Sequence, residues 1–203
     1  MTLKFLAGCE RTGSVRDAVL SIRPDAKVLS CDMQPTVKPG PHYEGNIFDV
    51  IDYPWDSAVF HPPYTATSVS GAKHFEAKWM DGRQAAGVAF FMNLLHRSRH
   101  IHGSLFEQPV SIMSTLYRKP DYTLQPWMFG DYETKATCLW AEGMVGRIIP
   151  IYRTAEECRE ALGLPPGTKP AERIHKMPPG PERANLRSAT YPGIAKAIAE
   201  ALT

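Results

Sequence analysis

Leu3-Lys4-Phe5-Leu6-Ala7-Gly8-Cys9-Glu10-Arg11-Thr12-Gly13-Ser14, continued by Val15, Ala18, Val19 and Ile22, decides the fold. A short apolar run ends in a glycine turn, and the apolar residues beyond it recur at helical spacing, so the segment predicts strand, turn and helix. Glycines let backbone amides approach a ligand closely, and the helix that follows points its positive end into the same crevice. Such turns hold methionine-bearing nucleosides and many other nucleotides, and some are only structural. A second strand, Lys27 to Asp32, ends in a carboxylate placed where it can accept both ribose hydroxyl protons or cap a loop. Turn and carboxylate together point to an adenosine cofactor. Asn46 and Asp49, after a loop rich in Pro and Gly, are candidates to read the adenine ring or to cap a turn.

Further strands are expected at Ser57–Phe60 and Gly103–Pro109, with a helix over Arg83–His96 between them and a closing helix over Pro192–Leu202. Strands alternating with helices imply a largely parallel sheet, hence an α/β, Rossmann-like fold whose crevice lies beyond the carboxyl ends of the strands. Gly8, Asp32, His61 and Glu107 all fall there. From Leu124 to Ala141 the aromatics Trp127, Phe129, Tyr132 and Trp140 surround a Gly130-Asp131 turn signal and suggest an antiparallel edge hairpin. Pro165 to Pro181 reads as irregular loop.

The chain has 203 residues, 43% hydrophobic and 22% charged, the make-up of one globular domain. That domain divides into a core of residues 1–112, a hairpin and basic loop over 113–190 and the last helix over 191–203. A net charge of +2 does not by itself indicate nucleic acid, but Lys and Arg concentrate between Arg147 and Arg187. Within that stretch and just before it, Lys135, Arg173, His175, Lys176, Arg183 and Arg187 are the candidate phosphate contacts, alongside Arg147, Arg153 and Lys169. Four scattered cysteines indicate neither zinc nor a disulfide framework and fit a reducing cytosol. No segment has membrane-spanning length, and the N-terminal apolar run is too short for a signal peptide.

His61-Pro62-Pro63-Tyr64 follows the strand Ser57–Phe60. Two prolines stop the strand and leave carbonyls free to accept hydrogen bonds, with an aromatic ring at the mouth. This turn resembles the Asp/Asn/Ser-Pro-Pro-aromatic motif of S-adenosylmethionine-dependent DNA amino-methyltransferases, departing from it at His61. The resemblance implies that His61 and the Pro62 carbonyl grip the exocyclic amine of a flipped base while Tyr64 stacks on it. A neutral histidine accepts one hydrogen bond and a protonated one accepts none, so activity is expected to fall in acid.

Longer stretches are similar to the short phage- and prophage-type DNA cytosine methyltransferases. They are Ala7-Gly8-Cys9-Glu10, Trp55-Asp56 leading to His61-Pro62-Pro63, Glu107-Gln108-Pro109, Gln125 through Asp131, Glu133 through Trp140, Arg173 through Gly180 and Tyr191 through Ala199. The resemblance implies S-adenosylmethionine as cofactor, with Ala7, Gly8, Cys9, Glu10, Gly13, Asp32 and Asn46 as its candidate contacts, and DNA as partner. It places His61, Pro62, Pro63, Tyr64 and Glu107 at the catalytic centre and implies a bacterial cytoplasm. Tyr64 stands where that family has its attacking cysteine, and a phenol of pKa near 10 is a far poorer nucleophile than a thiol near 8.5. The chain therefore departs from carbon-5 chemistry, and direct transfer to an amine of adenine or cytosine is the preferred expectation. A carbon-5 pyrimidine-modifying transferase of altered chemistry, with a different donor group or a cysteine supplied from elsewhere, and a non-catalytic relic that binds DNA or a nucleoside are the alternatives. The chain has no room for a large target-recognition domain, so selectivity is limited or comes with a second copy of the chain.

Overall fold

Strand β1 (Lys4–Gly8) runs through the middle of the molecule, and helix α1 (Ser14–Ile22) returns to strand β2 (Lys27–Asp32) beside it. The computed structural model describes residues 2–178 and 180–203. After β2 come β3 (His42–Glu44), β4 (Ser57–Phe60), α2 (Phe75–Met80), α3 (Arg83–Arg97) and β5 (Gly103–Pro109). The remainder comprises α4 (Met113–Leu116), β6 (Tyr122–Leu124), β7 (Thr137–Gly143), α5 (Ala155–Ala161), α6 (Arg173–Lys176), α7 (Pro181–Ser188) and α8 (Pro192–Leu202). One seven-stranded sheet results, in the order β3-β2-β1-β4-β5-β7-β6. The first five strands are mutually parallel, whereas β7 runs antiparallel to β5 and to the edge strand β6.

Alternation along the central strands feeds two cores. Phe5 and Ala7 face one side with Val59, Leu105 and Leu139, where α1 and α8 cover them through Val15, Val19, Ile194 and Ile198. Leu6 faces the other with Ala58, Phe60, Phe106 and Trp140, covered by Phe91 and Leu94 of α3. This period-two division is what a sheet buried on both faces requires. Strand order reverses between β1 and β4, so their carboxyl ends diverge and open a crevice.

The expected strands β1, β2, β4 and β5 and helix α8 are present, and α3 extends one residue past His96. The edge hairpin differs. Leu124 pairs with Thr137, and residues 125–136 between them carry a 3-10 turn at Pro126–Phe129 and the left-handed Gly130 instead of a tight turn at Gly130-Asp131. Asp131 is drawn away to accept the Gly193 N–H at 2.9 Å, which ties this connection to the start of α8. Trp140 and Phe129 are buried, so they belong to the core and not to a base-contacting surface. Several elements were not legible beforehand, among them α2, α4 and, inside the stretch read as irregular loop, α6. β3 lies in the Pro/Gly loop because its three residues gain order only by pairing with β2. α5 begins at a cap in which Thr154 accepts the Glu157 N–H at 3.1 Å and Glu157 reaches back to the Arg153 N–H at 2.7 Å. That Thr-x-x-Glu spacing was a readable signal. α7 starts with Pro181 at its first turn. Among the described residues no helix is long and apolar enough to cross a membrane, and no cluster of three or more His, Cys, Asp or Glu could hold a metal.

Candidate active site

Two cavities open at the carboxyl ends of the strands. The first, about 290 Å³, lies beyond β1 and β2 and is lined by Cys9, Asp32, Asn46, Ile47, Pro63 and Phe90 among others. Gly8 brings β1 hard against its neighbours, since a Cβ there would lie 2.6 Å from the Phe60 ring. Cys9 then adopts φ 56°, a left-handed conformation rare for a residue with a side chain, and turns the chain out of the sheet. Asp32 accepts the Gln34 N–H at 2.9 Å, and Asn46 accepts the Phe48 N–H at 3.0 Å. Both side chains thus brace their own loops while bordering the cavity.

The other cofactor candidates sit elsewhere. Ala7 is wholly buried in the core. Glu10 turns inward and accepts the Val15 N–H at 2.6 Å and the Arg16 N–H at 3.3 Å, so the start of α1 is satisfied by this carboxylate and not left open towards the crevice. Burial pushes the Glu10 carboxyl up, opposed by the charge of His61 and by these amide bonds. Gly13, at φ 69°, packs against the Arg16 guanidinium, where a Cβ would lie 2.4 Å away. Arg16 is fully buried and donates to the carbonyls of Lys38 and Pro39 at 3.2 and 3.1 Å, fastening the loop between β2 and β3 onto α1. Sequence reasoning missed it, because one arginine in an amphipathic helix carries no sign of burial.

The second cavity, about 220 Å³, lies beyond β4 and β5 and takes its walls from His61, Tyr64, Ser70, Glu107, Lys135 and Arg187. Cys9 lines both cavities. His61 Nδ1 lies 2.7 Å from Glu107 Oε2, with both side chains about nine-tenths buried. Burial disfavours the imidazolium, but the Glu107 hydrogen bond and the charges of Glu107 and Glu10 outweigh it and hold His61 above its ordinary value. Burial likewise raises Glu107, and the His61 bond and charge reverse that and hold it low. The two directions agree on an ion pair. His61 Nδ1 is therefore the donor to Glu107, which leaves the buried Nε2 as the ring nitrogen not engaged among the described residues.

The Pro62 carbonyl is also engaged: Gln108 Nε2 donates to it at 3.3 Å, and Ser111 donates to Gln108 Oε1 at 3.0 Å. Gln108 thereby clamps the turn after β4 to the end of β5. Pro63 faces the first cavity and Tyr64 the second, so the Pro-Pro-Tyr turn divides them. Burial pushes the Tyr64 phenol above its usual value, with Arg187 opposing, and the Cys9 thiol is driven far up by burial, Asp32 and Cys31. Neither is an ionised nucleophile near neutrality.

The basic candidates separate into two sets. Lys135 and Arg187 enter the second cavity: Lys135 Nζ donates to the Ala189 carbonyl at 2.9 Å, and the Arg187 guanidinium lies 5.9 Å from the centre of the Tyr64 ring. Arg173 pairs with Glu133 at 2.9 Å and Lys176 with Glu172 at 3.4 Å, both on the surface with the exposed Arg147, Arg153 and Lys169. Arg183 is half-buried, with Nε unpartnered among the described residues. The side chain of His175 lies outside the described residues. No protein-family model and no curated protein matches the chain.

Proposed function

We propose that this protein is an S-adenosylmethionine-dependent methyltransferase of Rossmann-like fold that acts on a DNA base, with an exocyclic amine as acceptor. One observation carries the proposal: two cavities at the strand-order reversal share Cys9 and are both lined by the turn His61-Pro62-Pro63-Tyr64, His61 and Tyr64 in one and Pro63 in the other. A methyl donor in one and a base in the other would meet across that turn.

The first cavity fits the donor. Asp32 offers a carboxylate for vicinal ribose hydroxyls, Asn46 an amide for a ring edge, and Ile47 and Phe90 apolar surface for adenine. When bound, the group supplies an electrophilic methyl on sulfonium sulfur. The chain itself positions the acceptor. At about 220 Å³ the second cavity is below the ~300 Å³ at which pockets begin to take drug-sized ligands, and it suits a single base. Glu107, held ionised, accepts from the amine through the oxygen that His61 leaves free. Drawing an amine proton towards a carboxylate leaves its lone pair less delocalised and aimable at a methyl in line. Tyr64 offers a ring face for the base.

The amine acceptor is favoured over carbon 5 because covalent attack on carbon 6 calls for a thiolate. Cys9 is the one thiol bordering the cavity among the described residues, and its environment holds the proton on. Incubation with labelled S-adenosylmethionine and unmethylated DNA, followed by nucleoside mass spectrometry, tests this. An N-methylated base is expected; 5-methylcytosine would overturn the acceptor assignment, and no product with intact DNA binding would make the protein a binding module.

A further inference from the structure

Charge in the second cavity does not balance. His61 and Glu107 neutralise one another, which leaves Lys135 and Arg187 facing the same space. Neither has a carboxylate partner within salt-bridge distance among the described residues. Lys135 Nζ holds only the Ala189 carbonyl and lies 5.7 Å from the centre of the Tyr191 ring. Arg187 Nη2 donates to Ser70 Oγ at 3.2 Å and otherwise rests over Tyr64. Ser70 is in turn 2.9 Å from Ser68 Oγ, and both hydroxyls line the cavity, whereas the Ser188 hydroxyl donates to the Asn185 carbonyl at 2.8 Å. A guanidinium with spare donors and a cluster of hydroxyls at the rim of a base-sized cavity is the equipment for a tetrahedral anion.

We infer that Arg187 and Ser70 form a phosphate subsite at the rim of the second cavity, so that its ligand is a base carrying a 5′-phosphate and not a bare nucleoside. The inference rests on the base-binding role proposed for that cavity and adds the class of ligand it selects. Lys135 supplies a second observation in the same direction. Burial holds it below its usual value, Glu107 opposes this, and Arg187 lowers it further. The groups facing it are Glu107 and His61 at the ends of β5 and β4, Arg187 from α7 and Tyr191 before α8. An anion held between Lys135 and Arg187 relieves their repulsion and favours the charged form of the lysine. The phosphate belongs either to a free mononucleotide or to a phosphodiester of a DNA strand, two sources of one chemistry.

Calorimetric titration of the full chain with deoxycytidine and deoxyadenosine, their 5′-monophosphates, a short single-stranded oligodeoxynucleotide and inorganic pyrophosphate tests the subsite. The monophosphates are expected to bind at least about tenfold more tightly than the nucleosides, the scale of a charged hydrogen bond. Arg187→Met should remove that advantage while nucleoside affinity stays within about twofold, and Arg187→Lys should restore part of it. If the advantage appears only with the oligodeoxynucleotide and still depends on Arg187, the phosphate is that of a strand; if it appears with monophosphates alone, the ligand is a free nucleotide. Pyrophosphate binding that depends on Arg187 without any nucleoside binding would keep the subsite and remove the base-binding role. Equal affinities for nucleoside, monophosphate and oligodeoxynucleotide, or an Arg187→Met variant of native melting temperature that loses all of them alike, would overturn the subsite.

Discussion

The two cavities are built in opposite ways. Around the first, polar side chains serve neighbours in sequence: Asp32 braces Gln34, and Asn46 braces Phe48. Around the second, they reach across the fold, from His61 to Glu107, Gln108 to Pro62, Lys135 to Ala189 and Arg187 to Ser70. Local bonds on exposed loops cost little to make and can be exchanged for a ligand. The long-range bonds, at least partly buried except for the exposed Arg187–Ser70 contact, hold a fixed geometry at the expense of desolvation. Under the proposed function, the cofactor side adapts to its ligand and the acceptor side is set before the ligand arrives.

The largest expected effect tests that contrast at its rigid end. Glu107→Ala removes the bond and charge that hold the His61 imidazolium, so the ring reverts to its buried neutral form with Nδ1 unpaired, and unfolding free energy should fall by about 2–3 kcal/mol, read in a denaturant titration. A loss below about 1 kcal/mol would show that the pair is not set in advance. On the adaptable side, Asp32→Ala should leave stability within about 0.5 kcal/mol while weakening S-adenosylmethionine binding by about 1.5–3 kcal/mol in calorimetry. Unchanged affinity would take Asp32 out of the cofactor site.

The pH dependence sharpens the comparison further. His61 is raised in the folded state, so its contribution is complete below the ordinary histidine value of about 6.5 and is lost as pH rises through the raised one. Glu107 is lowered, so its contribution is complete above about 4.3 and is lost as pH falls through the lowered one. The stability gap between the native chain and His61→Gln should therefore be widest from about pH 4.3 to 6.5 and narrow on both sides, followed by melting temperature. A gap that keeps growing above neutrality would mean that His61 is buried neutral. The smallest effect is expected for Arg173 and Lys176, which are themselves exposed. Replacing both should cost under about 1 kcal/mol of stability and flatten the salt slope of DNA binding by at most about two units.

The turn after β1, the carboxylate ending β2 and the Pro-Pro stop after β4 were all legible, because each is written in consecutive residues with a local backbone consequence. Lys135 and Arg187 were visible only as members of a basic stretch, since nothing near either in sequence distinguishes a cavity-lining cation from a solvated one. Glu10 was misleading for the same reason: its place in a glycine turn suggests a ligand contact, whereas its carboxylate is taken by the amides of Val15 and Arg16.

By itself the sequence determined strands β1, β2, β4 and β5 and helices α1, α3 and α8, through period-two and 3.6-residue patterns and the glycines and prolines that interrupt them. Only the tertiary structure decided which polar groups meet. His61 lies 46 residues from Glu107, Arg187 lies 117 from Ser70, and no periodicity relates such pairs. Their meeting follows from strand order, from β4 lying between β1 and β5 and from β7 turning back along β5 to carry Lys135 to the cavity. Burial then fixes their charge states, because a charge withdrawn from water is stable only beside the partner that the fold supplies.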